Sequence, residues 1–180
     1  DNLIVLRVDA TQYEGWFYEG AGIYRHVWLN KYSNLHIDTN GVFVHSKNTS
    51  SKATITVEST IINEGTSASN YSVTAYLKDR NGKTVAQSNS NSVKADINQS
   101  ITTKQTISVS NPKLWSLENP YLYRVFVEVK QGNSVVDSKT IKFGIRTIDV
   151  KKNGVFVNGK HVKLKGVNNH QDHAGLGSAL

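Results

Sequence analysis

Polar side chains of the kinds that bind sugars and metals are concentrated near the end of the sequence. A short apolar run, with Val162 and Leu164, leads into residues 166–173, which read Gly-Val-Asn-Asn-His-Gln-Asp-His. This order is typical of a barrel strand whose C-terminal tip carries polar chemistry. A barrel of eight strand–helix units needs about 250 residues. We therefore expect only its first strand within these 180 residues, and expect the chain to be a piece of a larger enzyme.

A metal site and a pocket wall are the two interpretations of this polar run. His170, Asp172 and His173 are all potential ligands, but a zinc site needs three or four ligands and a supporting second shell. We therefore predict no metal site formed by these residues alone, and favour a polar strand end that lines a pocket. A neutral imidazole can donate or accept a hydrogen bond with a sugar hydroxyl. The alternative, that His170 only holds its own loop in place, stays open.

Other catalytic patterns are missing from the sequence. Glycoside hydrolysis by a retaining mechanism uses two carboxyl groups about 5–5.5 Å apart. After Arg146 the only carboxylates are Asp149, which precedes the predicted barrel strand, and Asp172. The sequence also lacks the G-x-S-x-G, G-x-x-x-x-G-K-[ST] and G-x-G-x-x-G motifs of serine hydrolases and nucleotide-binding proteins. We therefore predict no catalytic residue in the chain.

Composition indicates a folded, water-soluble chain without a membrane or nucleic-acid partner. It is 38% hydrophobic and 19% charged, and no apolar run approaches the roughly 20 residues that span a membrane. The net charge of +7 permits nucleic-acid binding, but the lysines are scattered singly through alternating segments, which favours a solvated basic surface. Cysteine is absent, which excludes disulfides but leaves the compartment open; we slightly favour a periplasmic or secreted parent protein.

The middle of the sequence alternates apolar and polar residues with the period of two that a half-buried strand requires. Asn-Gly and similar turn pairs separate the runs. Seven to nine short strands over residues 31–145 are the content of an immunoglobulin-like sandwich. We therefore predict an all-β fold: an immunoglobulin-like antiparallel β-sandwich flanked by partial segments of neighbouring domains. The clearest alternating residues are Ala53, Ile55, Val57, Val73, Ala75, Leu77, Tyr121, Tyr123, Val125, Val127 and Val129.

The first 30 residues have a different pattern. Leu3, Val5 and their neighbours predict an apolar strand with both faces covered, and the aromatic, Gly-rich segment 15–29 follows it. We interpret residues 1–30 as the last strands of a preceding β domain. Apolar strands with open edges tend to pair with another chain, so we expect the terminal segments to promote self-association.

Four stretches together resemble glycoside hydrolase family 2, above all its β-galactosidases. They are GWFYEGAGIYRHVWL (15–29), NPKLWSLENPYLYRV (111–125), KFGIRTIDV (142–150) and NGKHVKLKGVNNHQDH (158–173). The resemblance implies three parts: the end of a sugar-binding jelly roll (1–30), an immunoglobulin-like domain (31–145), and the hinge and first strand of a catalytic TIM barrel (146–180).

The resemblance also implies a retaining hydrolase of terminal β-D-galactosides whose two catalytic Glu residues lie beyond this chain. His170 would line the galactose pocket, with Asn168 and Asp172 close to it. Asn169 and Gln171 stand where relatives commonly have Arg and Glu, which leaves the sugar preference open. The resemblance places no cofactor in this chain, although the parent could hold a metal ion elsewhere. The partners it implies are the galactoside and the neighbouring jelly-roll and barrel domains.

A stand-alone carbohydrate-binding or adhesion module is the alternative. Trp16, Trp28 and Trp115 would then be stacking platforms for sugar rings. Such a module would expose these rings on one face, whereas a linking domain would bury them.

Overall fold

A computed structural model describes residues 3–9, 22–23, 25–49 and 51–168. The chain divides into two compact units, one of Asp1–Asn30 with Lys165–Leu180 and one of Lys31–Leu164. Among the described residues every regular element is a β-strand, and no helix that could cross a membrane is found. The all-β prediction is therefore confirmed.

Eight strands of the larger unit form two antiparallel sheets. The three-stranded sheet has the order β1–β2–β6, and the second sheet has the order β4–β3–β7–β8 with β5 paired to β3. This is the predicted immunoglobulin-like sandwich, and all of its pairings are antiparallel. The strands are β1 (Leu35–Asn48), β2 (Lys52–Asn63), β3 (Ser69–Lys78), β4 (Thr84–Asn89), β5 (Val93–Ala95), β6 (Ser100–Ser110), β7 (Tyr123–Gln131) and β8 (Ser134–Phe143).

The predicted alternating residues form the core between the two sheets. The inward side chains of β2, β3 and β7, from Ala53 to Val129, are almost fully buried. Three tyrosines add bulk in the absence of a cysteine pair, namely Tyr71, Tyr121 and Tyr123. Trp115 does not belong to this core cluster and is half-buried.

A bulge interrupts the pairing of β1 with β2 next to the point where β1 contacts β8 of the second sheet. The register of β1 on β2 shifts between Ile37 and Val42, and the Ile37 N–H donates to Asp137 Oδ2 of β8 at 2.7 Å. At the bulge a Cβ on Gly41 would lie 2.7 Å from the Thr60 carbonyl oxygen, so only glycine fits there without a backbone shift.

A tyrosine at the start of β7 fixes the long loop before it. The Lys113 N–H donates to the Tyr123 hydroxyl at 2.9 Å, across ten residues of sequence. A tyrosine near the start of strand F that bonds to upstream backbone is the tyrosine corner of immunoglobulin-like domains. Burial is the main cause that raises the pKa of Tyr123.

Tyr123→Phe is expected to lower the free energy of unfolding by about 1 kcal/mol, because it removes one hydrogen bond and leaves the Lys113 N–H without its partner. Urea unfolding followed by tryptophan fluorescence measures the change. Tyr32→Phe, at an exposed tyrosine, is the control variant. An effect of Tyr123→Phe no larger than that of the control would contradict a structural role for this hydroxyl.

Three further strands follow the sandwich within the same compact unit. They are β9 (Ile148–Lys151), β10 (Gly154–Val157) and β11 (Lys160–Val162), which form an antiparallel meander in the order β9–β10–β11. The sequence analysis expected a connecting segment and one barrel strand here. The structure instead places Lys160–Val162 in the meander, because two Asn-Gly turns reverse the chain. Residues 163–168 carry no strand in this structure. The assignment of residues 146–180 to the hinge and first strand of a catalytic barrel stays a prediction.

The described residues before Lys31 carry no strand either. Leu3 and Val5 are 89% and 77% exposed, so the strand predicted there is not formed in this structure. A single strand needs a hydrogen-bonded neighbour and a covered face to be stable. The interpretation of residues 1–30 as the end of another domain remains a prediction.

Candidate functional site

The predicted pocket residues lie at the limit of the described part of the chain. Asn168 is described and exposed, whereas His170 and Asp172 fall outside the described residues. Their role as a pocket wall therefore stays a prediction. Within the described residues, no group of three His, Cys, Asp or Glu side chains could hold a metal ion.

The structure brings together three of the stretches that carried the resemblance. Trp115 comes from 111–125, residues Gly144–Thr147 come from 142–150, and Asn158 begins 158–173. We call these residues the junction, because they connect the end of the sandwich to the meander. Hydrogen bonds join all three stretches to one another at this point of the structure.

Asn158 is the centre of the junction. Its Nδ2 donates to the Trp115 carbonyl oxygen at 2.9 Å, and its Oδ1 accepts from the Thr147 N–H at 3.0 Å. Its own N–H donates to the Thr147 carbonyl oxygen at 3.0 Å. Asn158 has a φ of 49°, a left-handed conformation that asparagine adopts more readily than most residues. One side chain therefore ties the β10–β11 turn to both the hinge and the long loop.

Trp115 is held from both sides. The backbone N–H of Trp115 donates to the Ile145 carbonyl oxygen at 2.9 Å. The Arg146 guanidinium lies 4.7 Å from the centre of the indole ring. A Cβ on Gly144 would come within 3.0 Å of two Trp115 side-chain atoms. The indole is thus packed against backbone on one side and a cation on the other, in a favourable cation–π contact.

A second connection joins the meander to the loop of Trp115. Lys160 Nζ lies 3.3 Å from Glu118 Oε1, and both side chains are exposed. Hydrogen bonds from the Glu118 backbone, Ser116 and Lys160, in that order, lower the pKa of the Glu118 carboxyl. An exposed ion pair of this kind adds little stability. The Lys160–Glu118 pair therefore only adds to the hydrogen bonds of Asn158, which hold the β10–β11 turn against the loop of Trp115.

The two faces of the meander differ in chemistry. Cross-strand pairing puts Ile148, Val150, Val155, Val157 and Val162 on one face. On the other face the rings of Phe156 and His161 meet edge to face at 5.2 Å, with Lys151 Nζ 4.8 Å from the Phe156 ring. Such a strip of aliphatic side chains on a small sheet suits packing against another layer of protein.

The described geometry can position neighbouring segments but offers no set of groups that would break a bond. The junction is built from an amide, a guanidinium, an indole and backbone groups, none of which is paired with a nucleophile or a general base.

Sequence reasoning missed Asn158, which it treated only as half of an Asn-Gly turn. Its side-chain bond to Trp115 spans 43 residues, so no local period reveals it. The available signal was that Trp115 and Asn158 both belong to stretches with a family resemblance. The resemblance singles out the two segments, but it does not predict that Trp115 and Asn158 are in contact.

Comparison with known proteins finds the family that the four stretches resemble. The sequence profile described as "Glycosyl hydrolases family 2" matches residues 35–146. A β-galactosidase of Bacteroides ovatus, BoGH2A, is 34% identical over 99% of this chain and 21% of its own length. A β-glucuronidase of Formosa agariphila is 36% identical over 93% of this chain and 18% of its own length.

Solved structures agree with the sequence matches. A structure titled as a β-glucuronidase from glycoside hydrolase family 2 covers 83% of this chain, with 33% identity and a TM-score of 0.74, and the match spans 17% of that protein. The chain thus spans about a fifth of the length of these relatives. The family profile covers the whole sandwich and reaches Arg146 at the junction. The predicted resemblance is confirmed, and the chain belongs to glycoside hydrolase family 2.

Proposed function

We propose that this chain is the linking part of a retaining glycosidase that hydrolyses terminal β-D-galactosides, and that it performs no chemistry itself. The junction is the observation that carries this proposal, since Asn158 holds the segment after the sandwich in one position. Relatives named β-galactosidase that align along nearly the whole chain support the galactoside assignment.

In this proposal the chain contributes to three parts of the parent enzyme. Residues 1–30 end a sugar-binding domain, residues 31–145 form the sandwich, and residues 146–180 begin the catalytic barrel. His170, with Asn168 and Asp172, lines the sugar pocket. The two catalytic Glu residues come from later barrel strands, and any metal ion of the parent binds outside this chain.

A β-glucuronidase is the second candidate for the parent enzyme. The Formosa agariphila relative with that name is 36% identical to this chain, against 34% for the Bacteroides ovatus β-galactosidase. The two sugars differ at two positions. The C4 hydroxyl is axial in a galactoside and equatorial in a glucuronide, and C6 is a hydroxymethyl group in a galactoside and a carboxylate in a glucuronide. The departures at Asn169 and Gln171 fall in the segment that the proposal assigns to the pocket, so they bear on this choice.

The stand-alone binding module receives less support. Trp115 is half-buried and covered by Arg146, so its ring is not a free platform for a sugar. Trp28 is 76% exposed and has His26 at 5.6 Å between ring centres, and Trp16 lies outside the described residues. No set of coplanar exposed tryptophans is found in the described part of the chain.

The test compares the full-length enzyme with the 180-residue chain. We expect the full-length enzyme to favour 4-nitrophenyl β-D-galactoside over the β-D-glucuronide by about 100-fold or more in kcat/KM. We expect the 180-residue chain to release no nitrophenol above a mock preparation. A preference for the glucuronide would overturn the galactoside assignment alone. Turnover by the short chain would overturn its non-catalytic role.

A further inference from the structure

We propose that the outer face of the sheet that contains β3, β7 and β8 binds a polyanionic glycan through three aligned cations. Lys78 of β3 pairs with Arg124 of β7, and Arg124 pairs with Lys142 of β8. Directly opposite residues project from the same face, with Cβ atoms about 4.5–5.5 Å apart. The three side chains therefore form one line across three strands, which we call the cation row.

No carboxylate of the described residues neutralises the cation row. Like charges directly opposite one another destabilise a sheet. Within the described residues, none of the three cations has a carboxylate oxygen within ion-pair distance. Lys78 instead places its Nζ 4.4 Å from the centre of the Phe126 ring and 5.8 Å from that of Tyr76.

Some cations elsewhere in the sandwich have carboxylate partners. On β7 itself, Lys130 Nζ lies 3.6 Å from Glu128 Oε2. The three-stranded sheet provides a cross-strand example. On β6, Lys104 stands opposite Glu58 of β2, and their Nζ and Oε1 atoms are 2.9 Å apart. The Lys104 ammonium, through its hydrogen bond, is the main cause that lowers the pKa of Glu58. A cross-strand cation on that sheet therefore has a carboxylate partner. The contrast indicates that the cation row is left open for an anion from outside this unit.

Two open grooves extend the cation row at the end of the sheet. One, of about 190 Å³, is lined by Arg80, Arg124 and Lys142 together with apolar residues. The other, of about 400 Å³, is lined by Lys142, Arg146 and His45 among others. Neither groove has an Asp or Glu in its lining. Lys142 belongs to both, so the positive surface is continuous from Arg80 to Arg146.

The geometry favours an extended chain of anionic groups over a single small anion. Neighbouring strands lie about 4.8 Å apart, so Lys78 and Lys142 are separated by roughly 10 Å across the sheet. Charges spread along a line match repeated uronate carboxylates or sulfate esters on successive sugars. Arg and Lys both bind such oxygens through charge-assisted hydrogen bonds.

An acidic protein and a single-stranded nucleic acid fit this surface less well than an anionic glycan. The core of a protein interface is depleted in charged residues and rich in apolar ones. Here three cations lie side by side across the end of the sheet, and Leu122 beside them is 37% exposed. Single-stranded nucleic acid needs free aromatic rings for its bases. Here Tyr121 is buried and lies under the Arg80 guanidinium, and Phe126 lies under Lys78.

Affinity electrophoresis of the 180-residue chain tests this proposal. The gels contain polygalacturonate as a carboxylate probe, dextran sulfate as a sulfate probe, or neutral dextran. We expect retardation by at least one anionic probe, loss of that retardation as salt rises, and none with neutral dextran. The triple variant Lys78→Gln, Arg124→Gln and Lys142→Gln should weaken the Kd about 10-fold or more.

A second triple variant is the matched control. Lys47→Gln, Lys52→Gln and Lys94→Gln remove the same charge from other strands and should leave the Kd within about 3-fold of wild type. Attraction that depended on net charge alone would instead weaken equally in both triple variants. Thermal melting by circular dichroism confirms that both variants are folded. Equal weakening by the two triples would overturn the proposal, as would retention of neither anionic glycan.

Two further probes separate the competing partners. Polyglutamate bound as tightly as the glycans and with the same dependence on the cation row would reassign the face to an acidic protein. Tighter binding of a DNA duplex would reassign it to nucleic acid. Because the assay measures binding without turnover, its outcome is independent of which glycoside the parent enzyme hydrolyses.

Discussion

Asn158→Ala is expected to open the β9–β11 meander about 100-fold more often while the sandwich stays folded. The variant removes the bonds to the Trp115 carbonyl and the Thr147 N–H, at 2.9 and 3.0 Å. Each lost bond costs about 1 kcal/mol. Alanine in a left-handed conformation costs roughly 1 kcal/mol more. The total of about 3 kcal/mol corresponds to a change of about 100-fold in the opening equilibrium.

Hydrogen exchange measured by mass spectrometry resolves this local effect. Faster exchange should be confined to peptides covering residues 144–162, and peptides from β2, β3 and β7 should keep their protection. Asn158→Gly is the matched control, because glycine tolerates the φ of 49° and loses only the side-chain bonds. We expect its effect to be about 5-fold smaller than that of alanine. Unchanged exchange in Asn158→Ala would show that other contacts hold the meander.

The position of the meander matters for the proposed function. If the junction sets where the barrel begins, Asn158→Ala in the full-length enzyme lowers kcat/KM without touching the substrate. A loosened support shell is enough to misplace a site by about 1 Å. The sandwich would thus contribute to catalysis only through position.

The sandwich could be predicted because its strands follow a local rule. Residues such as Val125, Val127 and Val129 alternate with polar neighbours, and all three are fully buried at the predicted positions. The alternation of apolar and polar residues is a pattern of consecutive residues, so it can be recognised in a single sequence. The turn pairs between runs then separate the strands.

The junction could not be predicted, because its bonds join distant residues. Asn158 and Trp115 are 43 residues apart. The same holds outside the junction, where the hydrogen-bonded pair Ile37 and Asp137 is separated by 100 residues. Whether such side chains meet depends on how the sheets pack, which no local pattern encodes. The cation row was overlooked for the same reason, since its three members are scattered singly along the sequence and are aligned only by strand register.

The candidate pocket lies between these two cases. His170 and Asp172 were singled out because polar residues follow an apolar run, which is a local signal. What such residues bind depends on the strands that surround them in a closed barrel. The sequence therefore indicates a site without fixing its ligand.

Alkaline pH is expected to destabilise the sandwich in part through the buried phenol of Tyr71. Tyr71 is 2% exposed, and its hydroxyl has no hydrogen-bond partner among the described residues. Burial raises the pKa of Tyr71 to about 12 from its ordinary 10.0, because the phenolate would be desolvated.

The sign of the pH effect follows from proton binding in the two states. Above pH 10 the unfolded chain releases the Tyr71 proton, while the folded chain keeps it until about pH 12. The unfolded state therefore binds fewer protons in this window, and stability falls as pH rises. The contribution of Tyr71 amounts to about 1.4 kcal/mol per pH unit. By pH 11.5 the loss reaches about 2 kcal/mol.

Urea unfolding at intervals between pH 9 and pH 11.5 measures this loss, and Tyr71→Phe isolates it. The variant keeps the ring in the core and removes only the group that titrates, so its stability should decline less steeply than that of wild type by the amounts above. At neutral pH it should be at least as stable as wild type, because it also removes a buried hydroxyl without a partner. Parallel curves for wild type and Tyr71→Phe would show that the Tyr71 phenol titrates alike in both states. In that case the hydroxyl must reach water or a partner in the folded protein.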